Sequence, residues 1–254
     1  YDPALNFTEL DCLYGQYLFR ANLPVEANAQ AQKLWLVGKS QPEACDALFS
    51  QWQRSGGLTD ELRWQRAKLA AEAGQYGLAS SLIRQLPGLT HKGQLLVEVA
   101  QKPQLLKQTG KFVPADRQMA DVVGLGLRRM ARQNPEQAIE WLEFYGNRLP
   151  FSSEEKVAIA RSIGLTLAKR FDARALKVMA QYDPELRDNT VSEWRTRLLL
   201  RLGRWNEAHE LTLKLPQELA STPRWRNWQA RSPQLAQPQN PQVPLLDAPV
   251  ANER

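Results

Sequence analysis

The sequence has few of the residues that carry metal chemistry or nucleophilic chemistry. Its 254 residues include two cysteines and two histidines. His91 and His209 are far apart and isolated, and Cys12 and Cys45 are 33 positions apart, whereas structural zinc needs cysteine and histidine ligands at short, clustered spacings. We therefore expect no metal site and no cofactor.

Long apolar runs are also missing. No segment approaches the roughly 18 uninterrupted apolar residues that a helix needs to cross a bilayer, so we expect a soluble chain without a transmembrane segment. The first residue is Tyr1, and no basic stretch precedes an apolar secretory core. The sequence therefore does not itself report the compartment of the protein.

The strict alternation of apolar and polar residues that marks half-buried strands is absent, whereas helix starts are frequent. A capping box pairs a hydroxyl and a carboxylate with the free amide protons of the first helical turn. Three such boxes stand at Ser40-x-x-Glu43, Ser152-x-x-Glu155 and Thr190-x-x-Glu193, and capping side chains precede proline at Asn134-Pro135 and Asp183-Pro184. The sequence predicts an all-α protein.

Two stretches align as copies of one helical hairpin: "KLAAEAGQYGLASSLIRQLP" (68–87) and "RLLLRLGRWNEAHELTLKLP" (197–216). Glycine lets the first helix end in a left-handed residue, and a small alanine lets two helices approach closely. The aligned pairs are Gly74 with Gly203, Tyr76 with Trp205, Ala79 with Ala208, Leu82 with Leu211, Leu86 with Leu215 and Pro87 with Pro216.

Weaker copies occupy 130–142 and 34–49. Because one hairpin cannot bury its apolar face alone, such units stack. We predict an α-superhelix, or solenoid, of tetratricopeptide-like hairpins, curved or forming a partial ring, over residues 1–231. Residues 232–254 hold five prolines, and we predict an extended linker there, since proline breaks regular helix.

Catalytic arrangements are hard to find. A glycosidase-type acid needs a carboxyl group in an apolar pocket, and only Glu98, in "LLVEVA", has apolar neighbours in sequence. We interpret Glu98 as a helix residue that faces water rather than as an acid catalyst. The segment "GLGLRR" (124–129) has no preceding strand, so close helix packing explains its glycines better than a phosphate loop does. The residues themselves indicate no enzyme.

The net charge is +6 and the isoelectric point about 9.4. This balance is compatible with an anionic partner, such as nucleic acid, lipid head groups or cell-wall polymer, and also with a solvated surface rich in arginine. The cysteine spacing is similarly open. It fits a disulfide between Cys12 and Cys45, or two buried free thiols that behave as small apolar side chains.

The stretch "KLWLVGKSQPEACDALFSQWQRSG" (33–56) resembles a characteristic segment of the large soluble lytic murein transglycosylases. "ADRQMADVVGLGLRRMARQNPEQA" (115–138) and "PRWRNWQAR" (223–231) resemble two further segments of that family. In the family, a helical U domain precedes a linker domain and a lysozyme-like domain that cleaves the bond between N-acetylmuramic acid and N-acetylglucosamine, forming a 1,6-anhydromuramoyl product.

The resemblance implies that this chain is much of the superhelical U domain. The family's catalytic Glu-Ser and Gly-Leu-Met-Gln motifs do not occur, because no Glu is followed by Ser and all three Met are followed by Ala. No catalytic residue can therefore be transferred, and we expect the chain to be inactive alone. A free-standing helical scaffold that binds protein partners in the periplasm is the alternative.

The resemblance also implies a periplasmic location, and with it a Cys12–Cys45 disulfide, since disulfides persist in oxidising compartments. The implied partners are glycan strands of peptidoglycan and other cell-wall enzymes rather than nucleic acid. Arg224, Arg226 and Arg231 are candidate glycan contacts, although arginines beside tryptophan are as often packed stems on a helix face.

Overall fold

The structure is a computed structural model that describes residues 7–236. All regular structure in this range is helical. The α-helices are α1 (Thr8–Arg20), α2 (Pro24–Trp35), α3 (Asp46–Arg54), α4 (Asp60–Glu72), α5 (Tyr76–Ile83), α6 (Thr90–Gln101), α7 (Arg117–Gln133), α8 (Pro135–Gly146), α9 (Ser153–Lys169), α10 (Arg174–Tyr182), α11 (Asn189–Arg201), α12 (Trp205–Leu213), α13 (Gln217–Ala220) and α14 (Pro223–Ala236). Short 3-10 helices lie at Glu43–Cys45, Pro87–Leu89, Pro103–Lys107 and Thr109–Lys111.

The chain divides into two compact units between Ile159 and Ala160. In the first unit, α1 packs on α2 and α3, α4 pairs with α5, and α6 and α8 both pack on α7. In the second unit, α10 packs on α11, α11 on α12, and α12 on α14. Neighbours along the chain are thus neighbours in space within each unit, which is the contact pattern of stacked helical hairpins.

The two hairpins that align in sequence turn in the same way. Gly74 has φ +78° and Gly203 has φ +68°, and the same pair of backbone hydrogen bonds closes each helix. Gln75 N–H donates to the Ala70 carbonyl at 2.8 Å, as Arg204 N–H donates to that of Leu199 at 3.0 Å. This is the glycine-terminated helix end that the alignment predicts. The aligned alanines, Ala79 and Ala208, are fully buried.

Helix α7 is the most buried helix of the first unit, and its two glycines allow close packing. A Cβ at Gly124 would lie 2.2 Å from the Glu155 Oε1 atom, and one at Gly126 would lie 3.2 Å from the Leu106 side chain. Both glycines lie inside the helix. The packing interpretation of "GLGLRR" is therefore confirmed.

The predicted helix starts have mixed outcomes. Asn134 caps α8 by accepting from Gln137 N–H at 3.0 Å, as predicted, and the Ser152 hydroxyl accepts from Glu155 N–H at 3.1 Å. The box at Ser40 is wrong because Pro42 precedes the helical turn there without a side-chain cap. The box at Thr190 is wrong because Asp188 caps α11 instead. No helix begins at Pro184, since Asp183 ends α10 and its carboxylate accepts two backbone N–H groups of a turn.

The predicted boundary at residue 231 needs a correction, because α14 continues to Ala236 with Pro233 inside it. A helical proline leaves the carbonyl four residues earlier without its usual donor. Here that carbonyl belongs to Gln229, and the His209 Nδ1 atom lies 3.0 Å from its oxygen. A carbonyl oxygen only accepts, so the imidazole donates and replaces the missing bond. The rest of the predicted linker, 237–254, lies outside the described residues.

Candidate functional site

A disulfide joins Cys12 of α1 to Cys45, which precedes α3, with 4.9 Å between their Cα atoms. Both cysteines are fully buried. Beside them, the Gln16 side chain donates to the Ala44 carbonyl at 2.9 Å. The structure thus places the disulfide where it links the first helix to the hairpin that follows it.

The connection between α2 and α3, residues 36–42, is held closely against α4. A Cβ at Gly38 would lie 2.6 Å from the Leu69 carbonyl oxygen. The guanidinium of Arg66 lies over the Trp35 ring, 4.2 Å from its centroid, and donates to the Lys39 carbonyl at 3.4 Å. Arg66 is 5% exposed, and this burial lowers its pKa to about 10. The connection is therefore anchored through a buried cation on an aromatic ring.

Helices α4 and α7 share a polar contact that the sequence analysis missed. The carboxylate of Asp121 accepts from the Trp64 indole N–H at 2.7 Å and from the Lys68 ammonium at 2.5 Å. Trp64 and Lys68 are four residues apart and so lie on one face of α4. That spacing, together with one acidic residue in the apolar sequence of α7, was the available signal.

A second polar contact joins α4 and α7 and also includes α9. Arg128 of α7 forms an ion pair with Glu155 of α9 and donates to Glu72 of α4 at 3.3 Å. Arg129 donates to the Glu72 carbonyl at 2.7 Å. We call Lys68, Glu72, Asp121, Arg128 and Glu155 the charged seam. Each of its three carboxylates pairs with a cation of the charged seam, which makes the seam a clamp between helices rather than a catalytic site.

The three arginines predicted to contact glycan do not form one cluster. Successive helical residues lie about 100° apart around the axis, so Arg224 and Arg231 share one flank of α14 and Arg226 lies on the other, with the buried Trp225 between the flanks. Arg224 donates to Glu193 at 3.4 Å. Arg224 and Arg226 are exposed, whereas Arg231 is half-buried. Their role in binding stays a prediction.

The described residues offer no evident catalytic centre. Glu98 is exposed on α6 rather than enclosed in an apolar pocket. Within residues 7–236 there is no group of three or more His, Cys, Asp or Glu side chains able to hold a metal ion.

Comparison with known proteins gives this helical arrangement a context. The chain is 65% identical to an inactive mutant of lytic transglycosylase Slt from Pseudomonas aeruginosa, with a TM-score of 0.91 over 95% of this chain and 39% of that one. The soluble lytic murein transglycosylase of Salmonella typhimurium is 29% identical over 88% of this chain, and that of Escherichia coli K12 is 27% identical over the same share. The chain is homologous to the soluble lytic murein transglycosylases.

The crystal structure of the 70 kDa soluble lytic transglycosylase from Escherichia coli matches with a TM-score of 0.64, at 25% identity over 89% of this chain. The predicted fold class, an all-α solenoid of helical hairpins, is thus confirmed. The chain spans about 35% of the length of its curated transglycosylase homologues and 39% of that of Slt.

One family model, described as Cucumovirus coat protein, matches residues 16–107. The match covers well under half of the chain, so it does not show a family. The transglycosylase homologues account for most of the chain, including this range.

Among the helices of residues 7–236, none combines the length and apolar character that crossing a membrane requires.

Proposed function

We propose that this chain is a non-catalytic helical region of a peptidoglycan lytic transglycosylase and that it contacts glycan strands. The observation that carries the proposal is the similarity to Slt, at 65% identity and a TM-score of 0.91 over 95% of the chain. The two chains thus share their backbone fold and 65% of their aligned residues. A role on the same polymer is the simplest function that accounts for both.

The positive net charge of the chain supports binding to peptidoglycan. Peptidoglycan carries carboxylates on its stem peptides, and a net charge of +6 favours association with a polyanion. The proposed glycan contacts on α14 are Arg224, Arg226 and Arg231. Because Arg224 and Arg231 lie on one flank of the helix and Arg226 on the other, a glycan strand would contact the two flanks separately.

Bond cleavage is assigned in this proposal to a separate catalytic domain. The 254 residues contain neither a Glu-Ser pair nor a Gly-Leu-Met-Gln motif. The carboxylate of Glu98 is exposed on α6 rather than enclosed in the apolar pocket that a glycosidase-type acid needs. In the complete enzyme, cleavage between N-acetylmuramic acid and N-acetylglucosamine would yield 1,6-anhydromuropeptides.

A periplasmic location is part of the proposal. The buried Cys12–Cys45 disulfide is suited to an oxidising compartment, where such bonds persist. It also argues against binding of nucleic acid in the cytosol, where thiols stay reduced.

The test of the non-catalytic assignment is product analysis. The chain is incubated with purified peptidoglycan sacculi, and the released material is analysed for 1,6-anhydromuropeptides by mass spectrometry, with an active soluble lytic transglycosylase as positive control. We expect no product from this chain. Genuine product would contradict the assignment, and Glu98→Gln would then be the first variant to examine.

A second candidate function, a scaffold that binds protein, is favoured by one observation. Helix α1 and the residue before it carry an apolar stripe that faces solvent: Phe7, Leu10, Leu13 and Tyr17 are 49–60% exposed. Their spacing of three or four residues places them on one face. An amphipathic helix of another protein segment would bury this stripe as helices bury one another elsewhere in the first unit.

The scaffold function is tested by the assembly state of the chain. We expect Leu10→Lys/Leu13→Lys to abolish any self-association or partner binding seen by light scattering and pull-down from a periplasmic extract, because two charges interrupt the stripe. Unchanged binding in the double variant would remove the stripe from consideration.

A further inference from the structure

Phe171, in the turn between α9 and α10, has a backbone conformation that glycine occupies elsewhere in the protein. Its φ is +56°, close to the values at Gly74 and Gly203. The same two hydrogen bonds close the helix, from Phe171 N–H to the Ala168 carbonyl at 2.9 Å and from Asp172 N–H to that of Leu167 at 3.0 Å. A bulky L-residue is strained in this region, and glycine is not.

The fold does not use the Phe171 ring as core. The residue is 52% exposed, so the ring gains little from burial that would offset its strained backbone. The ring contacts the end of the next hairpin instead, where the guanidinium of Arg201 lies 5.1 Å from its centroid. A strained and exposed aromatic side chain is the kind of outlier that points to a functional contact.

The surroundings of the ring are basic. Lys169 and Arg170 precede Phe171 and are exposed, as is Arg201. The nearest acidic residues in sequence are already paired, Asp172 with Arg174 and Glu207 with Arg204. In the part of the chain that the structure describes, no ion pair involves Lys169, Arg170 or Arg201. We call Lys169, Arg170, Phe171 and Arg201 the aromatic–basic surface.

We propose that the aromatic–basic surface binds the sugar–peptide chain of peptidoglycan. This proposal rests on the proposed function and names a site for it. The negative face of the Phe171 ring accepts the C–H face of a pyranose ring, while Lys169, Arg170 and Arg201 bind carboxylates of the stem peptides. The surface lies wholly within the second unit, on the tips of the α9–α10 and α11–α12 hairpins.

The decisive variant is Phe171→Gly in the full 254-residue chain. It removes the ring and relieves the backbone at the same time, so it separates a binding role from a structural one. We expect a melting temperature equal to or above that of the wild type and an affinity for purified sacculi about three- to tenfold lower in co-sedimentation. We expect Arg201→Gln to weaken binding to sacculi as well. The difference in affinity between this variant and the wild type should decrease at high salt, because salt screens the charge of Arg201.

Matched controls use the same unit. Leu213 is as exposed as Phe171, and Arg187 is exposed and paired with Glu185. We expect Leu213→Ala and Arg187→Gln to bind sacculi as the wild type does. A Phe171→Gly variant with unchanged affinity would overturn the site, and so would one that melts at a clearly lower temperature.

The experiment also separates this site from the proposed function. If the wild-type chain does not bind sacculi at all, the proposed function fails and the site fails with it. If the wild type binds and Phe171→Gly binds equally, only the site fails. Loss of binding to a single-stranded oligonucleotide in Phe171→Gly, with sacculus binding unchanged, assigns the surface to nucleic acid and overturns the proposal.

Discussion

Arg128 of α7 and Glu155 of α9 form an ion pair within the first unit, with side chains 11% and 14% exposed. Arg128 also reaches Glu72 of α4, so one guanidinium links three helices. The carboxylate of Glu155 occupies the space left by the missing side chain of Gly124. A small residue on one helix and a long charged residue on another are therefore fitted to each other.

The first prediction concerns this pair. Arg128→Ala leaves the carboxylate of Glu155 with little solvent and no partner, and we expect it to lower the free energy of unfolding by about 3–5 kcal/mol. Arg128→Ala/Glu155→Ala should cost less than the sum of the two single changes. Denaturant unfolding of the four proteins gives the coupling directly. Arg187→Ala, at an exposed pair with Glu185, is the control and should stay within about 0.5 kcal/mol of the wild type. If the losses in free energy of unfolding of the two single variants add up to the loss in the double variant, the charged seam does not act as a clamp.

The second prediction compares two glycines three residues apart. Gly74→Ala forces a side chain into φ +78° and should destabilise by about 1–2 kcal/mol. Gly77 lies inside α5, and a Cβ there would meet nothing within 4 Å. Gly77→Ala should therefore stabilise by about 0.5–1 kcal/mol. Thermal unfolding distinguishes the two, and an equal effect of both would contradict the turn assignment.

The third prediction concerns the disulfide between Cys12 and Cys45. We expect Cys12→Ser/Cys45→Ser to unfold at lower denaturant concentration, with a loss of about 3–4 kcal/mol in the chain-entropy model. The wild type treated with a reductant should lose a similar amount, while the double variant should not respond to the reductant. Intact-mass analysis under alkylation checks that the bond exists, and two alkylated thiols in untreated protein would refute it.

The fourth prediction concerns the cap of α7. Asp116 accepts from Met119 N–H at 3.0 Å and pairs with Lys92. Burial acts to raise its pKa, but these hydrogen bonds together lower it below its usual value. The stabilising contribution of Asp116 is therefore fully present above the pKa that its carboxyl group has in the unfolded chain, near 3.8. It is lost as the pH falls through the lower pKa that this group has in the folded protein.

We expect Asp116→Ala to cost about 1 kcal/mol or somewhat more at pH 7 and clearly less at pH 3, as measured by urea unfolding at both values. Asp116→Asn keeps the capping oxygen without the charge, so its cost should be smaller and nearly independent of pH. A cost of Asp116→Ala that does not change with pH would contradict the role of the charge.

The sequence predicted the hairpins because their turns depend on local chemistry. Gly74 and Gly203 each end the first helix of a hairpin, and aligning the two short segments places these glycines at the same position. Phe171 closes the same turn with a residue that gives no such signal, so that hairpin could not be recognised. The helical Pro233 leaves the Gln229 carbonyl to be satisfied by His209 of another helix, and no local pattern reports a donor 20 residues before Gln229 in sequence.

The charged seam escaped the sequence analysis for the same reason. Along the chain, Lys68, Asp121 and Arg128 look like ordinary solvated charges and Glu155 looks like part of a helix cap. Only the packing of α4, α7 and α9 makes them partners. Conversely, the glycines of α7 were interpreted correctly because a helix that lacks a preceding strand leaves them few other roles.

The measurement that tests the account most directly is equilibrium co-sedimentation of the 254-residue chain with purified peptidoglycan sacculi, with cellulose as the neutral polysaccharide control. We expect saturable binding to sacculi that weakens as salt is raised, and no binding to cellulose. A chain that stays in the supernatant with both polymers at low salt would contradict the proposed role on glycan strands.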